Sequence, residues 1–123
     1  MKISLKKTTT ALALATSIAS APAQVVINEL MQSNIDCVMD DLNEFPDSWV
    51  ELYNSGTTSV NLNQYAISDK DNVEKAWKLP GITLKPGKRI LVYCDKEENG
   101  LHTPFRLESG KGCAVYLFCN GEV

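Results

Sequence analysis

The chain has 123 residues, of which 44% are hydrophobic and 22% charged, and its formal net charge at pH 7 is −3. A chain of this length forms one domain with a modest core rather than two domains. Its acidic balance disfavours nucleic-acid binding, because that affinity comes largely from lysines and arginines that displace counterions from phosphates.

The first 23 residues have the pattern of an export signal. Three lysines lie among the first seven residues, residues 11–21 form a short and mostly apolar run, and Ala21-Pro22-Ala23 offers small residues for cleavage. The run is shorter than the ~20 apolar residues of a membrane-spanning helix, so no membrane span is predicted. The sequence therefore predicts a signal peptide over residues 1–23, a mature domain over residues 24–123, and a secreted, periplasmic or cell-surface location.

The mature part is more acidic than the whole chain. It holds all 15 acidic residues but only nine of the 12 basic residues, which gives it a net charge of −6. Alternating hydrophobic residues and turn signals dominate this part and predict a series of short strands, which favours a β-sandwich or barrel. The predicted strands, in chain order, cover residues 25–31, 48–54, 60–69, 76–79, 82–84, 89–95, 105–107 and 112–119.

Two connections carry specific turn signals. Pro86 and Gly87 in the sequence KPGK occupy the positions that a type II turn favours. Asn120-Gly121 predicts a two-residue hairpin, because both turn positions need a positive φ, yet the sequence stops at Val123. We expect either that the last strand belongs to a longer protein or that another chain supplies it through an edge-mediated or strand-exchanged dimer. Residues 71–77 could form one helical turn at most.

The stretch DSWVELYN predicts one strand with two different faces. Alternation directs Val50 and Leu52 to the core and Trp49, Glu51 and Tyr53 to a second, half-exposed face. Aromatic side chains dominate the energetics of interfaces. Aromatic residues on the surface are therefore the candidates for contact with a protein or a glycan. The candidate binding residues are Trp49, Glu51, Tyr53 and Tyr65.

No set of residues predicts an enzyme. Glu29 would neighbour Glu51 if their strands pair, but glycoside hydrolysis also needs a cleft and a raised pKa on one carboxyl group. His102 is the only histidine. Since it has no orienting carboxylate at a recognised spacing, we expect it to form structural hydrogen bonds.

An acidic loop, defined here as residues 34–48, follows the first predicted strand. Its carboxylates suggest a calcium site, because Ca²⁺ takes six to eight oxygen ligands. Against this, the spacing lacks the alternate ligands and the central glycine of a calcium loop, so a solvated loop is the alternative. The candidate ligands are Asp36, Asp40, Asp41, Glu44 and Asp47.

The four cysteines leave several pairings open. Export permits disulfides, and four cysteines allow three full pairings. Cys113 and Cys119 lie six residues apart in one predicted strand, hence about 20 Å apart, whereas a disulfide needs Cα atoms within about 7 Å. The alternatives are a bond from Cys94 to Cys37, Cys113 or Cys119, or free thiols that act as small buried apolar groups.

Successive motifs in the mature part resemble the lamin-tail domain family, in its bacterial secreted branch. They are VVINELMQSN, SWVELYNSGTTSVNLNQYAISD, AWKLPGITLKPGKRILVYCDK and LHTPFRLESGKGCAVYLF. The resemblance implies an all-β, immunoglobulin-like β-sandwich that lacks the family's last strand, and a non-catalytic binding or targeting module. It also implies an alternative, an accessory domain of a secreted or surface enzyme, such as a nuclease or spore-coat-type kinase, whose catalytic part follows Val123.

Overall fold

A computed structural model of the protein describes residues 24–108, 110 and 112–120, and the predicted signal peptide lies outside them. The helices in this part are too short and too polar to cross a membrane. Its strands are β1 (Val25–Met31), β2 (Trp49–Asn54), β3 (Val60–Asn61), β4 (Tyr65–Ser68), β5 (Trp77–Lys78), β6 (Thr83–Leu84), β7 (Arg89–Tyr93) and β8 (Tyr116–Cys119).

The strands pair antiparallel in three sheets around one hydrophobic core. Their orders are β1-β2-β7, β3-β6 and β5-β4-β8. The three sheets contribute to the same core cluster, for example through Val50 of β2, Val60 of β3 and Ile67 of β4. The prediction of an all-β, immunoglobulin-like sandwich is therefore confirmed.

The central strand β2 has the predicted alternation. Val50 and Leu52 are fully buried, and so is Asn54 at the end of the strand. The Asn54 amide stays satisfied there, because Nδ2 donates to the Leu84 carbonyl at 2.8 Å. Glu29 pairs with Glu51 in the register of β1 and β2, as predicted, directly after an irregularity in the β1 register.

The predicted strand over residues 60–69 is wrong in its middle. A 3₁₀ helix, Leu62–Gln64, separates β3 from β4. The Asn61 side chain accepts a hydrogen bond from the Asn63 backbone N–H at 3.0 Å and caps this helix. Asparagine side chains can satisfy a nearby backbone N–H in this way, and the N–H then has no need of a partner in a sheet. The chain thereby leaves the pair with β6 and enters the sheet with β5 and β8.

Two other predicted strands are corrected. Residues 105–107 form no strand, and Arg106 makes only an isolated bridge to Asp95. The strand over residues 112–119 shortens to β8, which begins at Tyr116, so Cys113 lies outside it. The spacing argument against a Cys113–Cys119 bond therefore fails, because it assumed an extended strand between them.

The predicted turns fit the structure where it describes them. Gly87 has a φ of +75° and the Lys88 N–H donates to the Lys85 carbonyl at 3.1 Å, as a type II turn requires. Val73–Lys75 forms the single helical turn expected in its segment. Asn120 has the positive φ that the hairpin needs, whereas Gly121 and the return strand lie outside the described residues.

Candidate interaction surface

The acidic loop exposes large hydrophobic side chains to solvent. Four of them lie within eleven consecutive residues, and only Leu30 and Val73 are comparably exposed in the rest of the described chain. A loop that exposes several apolar side chains is a candidate interaction site, because apolar surface that is concentrated in one region marks such sites and singly scattered residues do not. The four exposed fractions are 81% for Ile35, 50% for Met39, 45% for Leu42 and 44% for Phe45.

Asn34 ties the two ends of this loop together. Its buried Nδ2 donates to the carbonyls of Val38 at 2.8 Å and Pro46 at 2.9 Å. Its Oδ1 accepts from the backbone N–H groups of Cys37 and Val38, and its own N–H donates to the Asp47 carbonyl at 2.9 Å. A single amide side chain thus uses donors and acceptors to fix the loop.

Asp40 fixes the centre of the loop. Its Oδ1 accepts hydrogen bonds from the backbone of Leu42 at 2.8 Å and of Glu44 at 2.9 Å. Aspartate commonly stabilises a tight turn by accepting from the backbone two residues on. Asn43 lies inside this turn with a φ of +65°, a conformation that asparagine tolerates better than most residues.

A buried histidine joins the loop to the segment that follows β7. The His102 ring is 2% exposed and lies between two carboxylates. Its Nε2 is 2.8 Å from Asp41 Oδ1, and its Nδ1 is 2.7 Å from Asp95 Oδ2. Asp41 belongs to the acidic loop, whereas Asp95 follows β7, so the imidazole connects two distant parts of the chain.

The electrostatics favour a protonated His102 between the ionised carboxylates of Asp41 and Asp95. Burial alone would lower the pKa of His102, but the hydrogen bonds to Asp41 and Asp95 outweigh it and raise the pKa above its ordinary value. The hydrogen bond from His102 lowers the pKa of Asp41. Opposite charges at this separation each favour the ionised form of the other.

The backbone explains how His102 reaches this position. Tyr93, at the end of β7, donates its N–H to the Leu101 carbonyl and accepts from the Thr103 N–H, both at 2.8 Å. His102 is therefore held beside β7, with its ring centroid 4.9 Å from that of Tyr93. The chain between Asp95 and His102 makes a tight excursion, which includes a positive φ at Gly100.

The surroundings of His102 do not resemble a catalytic site in which a histidine base activates a nucleophile. Both imidazole nitrogens of His102 already face carboxylates, whereas a general base must offer a nitrogen to the nucleophile. The nearby hydroxyl groups have structural partners, since Ser48 donates to the Cys94 carbonyl at 2.8 Å and Thr103 to the Phe105 carbonyl at 2.7 Å. The geometry suits a fixed connection rather than proton abstraction.

The predicted exposure of two candidate binding residues is wrong. Trp49 and Tyr65 are only 4% and 6% exposed. Trp49 lies on a central strand, in register with Met31 of β1 and Tyr93 of β7, so neighbouring strands flank it on both sides. Tyr65 begins β4 and belongs to the core cluster.

The other two candidates already have partners within the domain. Glu51 accepts a hydrogen bond from Asn28 at 2.7 Å and lies 3.6 Å from the Arg89 guanidinium. The same guanidinium lies 4.7 Å from the centroid of the Tyr53 ring, a cation–π contact. A binding role for this face stays a prediction, but a partner would have to displace these contacts.

The five carboxylates predicted as calcium ligands have different surroundings. Asp47 forms an ion pair with Arg106 at 3.1 Å, and Asp36 and Glu44 are exposed. Among the described residues, the ligand atoms that converge belong to Asp40, Asp41 and His102. Calcium binding by the five predicted carboxylates stays a prediction. The residues that converge in the structure are a different set, because they include the imidazole of His102.

All four cysteines have free thiols in the structure. Cys94 is fully buried in the core, where burial raises the pKa of its thiol to about 12. Cys37 is exposed on the acidic loop, whereas Cys113 and Cys119 are half-buried and pack against the core. Gln32 Nε2 donates to the Cys113 sulfur.

Sequence reasoning missed the contact between Asp41 and His102. The two residues lie 61 positions apart, and no periodicity relates them. The contact between Asp95 and His102 had a weak signal in the sequence. The two residues lie only seven positions apart, one at each end of the same connection.

Comparison with known proteins places the fold in a family. The Lamin Tail Domain family matches the chain over residues 18–123. No curated protein and no solved structure matches this chain. The family match covers most of the chain and agrees with the immunoglobulin-like sandwich, so this chain belongs to the lamin tail domain family.

Proposed function

We propose that this domain is a non-catalytic module that binds a partner protein through its acidic loop. The observation that carries the proposal is the exposure of Ile35, Met39, Leu42 and Phe45 on one internally hydrogen-bonded loop. Because hydrogen bonds already fix the backbone of the loop, binding costs little backbone conformational entropy, so more of the contact energy contributes to affinity.

The charge of the loop indicates what kind of protein it would bind. Residues 34–48 contain five carboxylates and neither lysine nor arginine. Charged groups around an apolar centre favour partners with the opposite charge and speed their association. The partner expected is a protein with an apolar patch that lysines or arginines surround.

A glycan ligand is supported less well than a protein. The interpretation of Trp49 and Tyr65 as an exposed aromatic surface depends on rings that are buried in the domain. The loop combines acidic residues with exposed apolar side chains, and this composition fits a protein interface better. A glycan remains an outcome of the binding test, in which immobilised glycans would retain the domain.

The test compares a variant of the acidic loop with a variant of an exposed apolar residue elsewhere in the domain. The double variant Ile35→Ser/Leu42→Ser removes two exposed side chains from the loop, and Val73→Ser removes one from the exposed 3₁₀ helix. Proteins from the source cells that the wild-type domain retains are identified, and the affinity of each is then measured with both variants. Circular dichroism checks that the variants are folded.

We expect the loop double variant to bind the identified partner at least about tenfold more weakly, because truncating a side chain at the energetic centre of an interface costs about 1 kcal/mol or more. The Val73→Ser variant should bind like the wild type. Equal binding by all three proteins, or retention of no protein, would contradict the proposal.

We further propose that the module acts outside the cytoplasm, and the support for this is the residue pattern of the first 23 positions. The intact mass of the protein isolated from its source tests it. A mass that begins at Gln24 would support export and cleavage, and retention of residues 1–23 would contradict them. A much larger mass would favour the alternative of an accessory domain attached to an enzyme.

A further inference from the structure

Three side chains from two distant segments converge at the base of the acidic loop. One ligand atom each from Asp40, Asp41 and His102 lies within 4.8 Å of the other two. Ligands bound tetrahedrally to one zinc ion at about 2.1 Å lie about 3.4 Å apart. The ligand atoms that lie farthest apart would have to approach each other by no more than about 1.4 Å to hold one ion together.

A fourth residue orients the imidazole for such a role. Asp95 Oδ2 lies 2.7 Å from His102 Nδ1 and is itself 9% exposed. Metal-binding histidines commonly donate their second ring nitrogen to a carboxylate, which fixes the tautomer and the ring orientation. With Nδ1 engaged in this way, Nε2 faces the loop carboxylates, and an ion would replace the proton that Nε2 and Asp41 share.

The cluster carries more negative than positive charge. Three carboxylates lie near one imidazole, and two of them, Asp41 and Asp95, form ion pairs with it. Within the described residues, none of the three carboxylates pairs with a lysine or arginine. Even a protonated His102 would leave two negative charges unbalanced. A divalent cation would remove this imbalance.

The donor set indicates the class of ion. Calcium and magnesium take oxygen ligands, whereas imidazole suits zinc and neighbouring transition metals. Asp40 keeps one oxygen available, since its hydrogen bonds from Leu42 and Glu44 both end on Oδ1. We propose that Asp40, Asp41 and His102 bind one divalent transition-metal ion of the zinc class, with Asp95 as the positioning residue.

This proposal does not rest on the binding function of the loop. An ion bound there would join the acidic loop to the segment after β7 more firmly than the hydrogen bond of Asp41 does. It would therefore raise the stability of the folded chain by mass action. Zinc binding and partner binding can be measured separately, so failure of one leaves the other standing.

The experiment titrates ZnCl₂ into chelator-treated, reduced protein by calorimetry and follows thermal unfolding in parallel. Cobalt absorption in the visible range reports the ligand field. The variants are His102→Gln and Asp41→Asn, with Asp95→Asn for the positioning residue. Two controls come from the same loop, namely Asp36→Asn for a carboxylate outside the cluster and Cys37→Ser for the exposed thiol.

We expect one zinc ion per chain and a higher Tm with zinc. Affinity should fall by about 100-fold or more in His102→Gln and Asp41→Asn, and by about 10- to 100-fold in Asp95→Asn. Both controls should bind like the wild type. Asp41 is largely exposed, so its variant should fold even if His102→Gln does not. Zinc binding that survives Asp41→Asn, loss of binding in Cys37→Ser, or binding of calcium without zinc would each overturn the proposal.

Discussion

Asp41 Oδ1 lies 2.8 Å from His102 Nε2, although the two residues lie 61 positions apart in the chain. The contact attaches an exposed loop to a fully buried imidazole beside β7. The loop is therefore fixed both internally, by Asn34, and externally, by this pair. A surface loop with apolar side chains and such restraints is suited to recognition rather than to flexible linkage.

The stability of metal-free protein should depend on pH through this pair. The pKa of His102 is raised above 6.5, so its stabilising contribution is fully present below pH 6.5 and is lost as the pH rises through the raised pKa. The pKa of Asp41 is lowered from 3.8, so its contribution is present above pH 3.8 and is lost as the pH falls through the lowered value.

The contribution of the pair should therefore be largest between pH 3.8 and 6.5. Urea unfolding in the presence of a chelator, followed by tryptophan fluorescence, gives the free energy of unfolding at each pH. The difference between wild type and Asp41→Asn should be greatest in that window and should shrink on both sides. A difference that is constant from pH 3 to pH 9 would contradict the ion pair.

Replacing Asn34 by alanine should destabilise the domain by about 2 kcal/mol, because it leaves buried backbone groups without their partners. The affected groups include the carbonyls of Val38 and Pro46. Asn63→Ala is the matched control, since Asn63 is an exposed residue of the 3₁₀ helix after β3. It should change stability by no more than about 0.5 kcal/mol. Similar effects of both substitutions in urea unfolding would contradict the role of Asn34.

Gly87→Ala should destabilise the domain by about 1 kcal/mol through backbone strain alone. Gly87 has a φ of +75°, yet no heavy atom of a described residue other than Gly87 and its two chain neighbours lies within 4 Å of the position that a Cβ would take. The left-handed conformation costs an L-residue about 1–2 kcal/mol. Gly112→Ala is the control, because its Cβ is equally free and its φ is not in that region. Equal unfolding midpoints for both variants would contradict the assignment of the turn.

The four thiols should react at very different rates. Cys37 is exposed, whereas Cys94 is fully buried and its pKa is raised to about 12. Because the thiolate is the reactive form, iodoacetamide at pH 8 should label Cys37 first and Cys94 only after unfolding. Mass spectrometry of peptides measures both rates. Labelling of Cys94 as fast as Cys37, or protection of both until reduction, would contradict free thiols in these environments.

The strands that could be predicted from the sequence are those in which alternation continues over five or more residues. β1, β2 and β7 belong to this group, and so does the burial of Val50 and Leu52. The break between β3 and β4 could not be predicted by period alone, because the Asn61 side chain competes with the sheet for a backbone N–H. Trp49 was misplaced because alternation distinguishes two faces but does not say whether the second is open to solvent.

The candidate site was predictable in composition but not in arrangement. The concentration of carboxylates in residues 34–48 is visible in the sequence, and the Pro and Asn residues around them indicate a loop. Which carboxylate meets His102 depends on how two connections fold over the end of the β1-β2-β7 sheet. That is a tertiary relationship, and one sequence contains no local signal for it.

The most direct test of the acidic loop as the binding surface is site-specific photo-crosslinking in the source cells. One variant carries a photoreactive amino acid in place of Leu42, and the other carries it in place of Val73, which is similarly exposed. We predict that the variant at position 42 crosslinks to one partner protein and that the variant at position 73 does not. The same crosslinks from both positions, or none from position 42, would contradict the account.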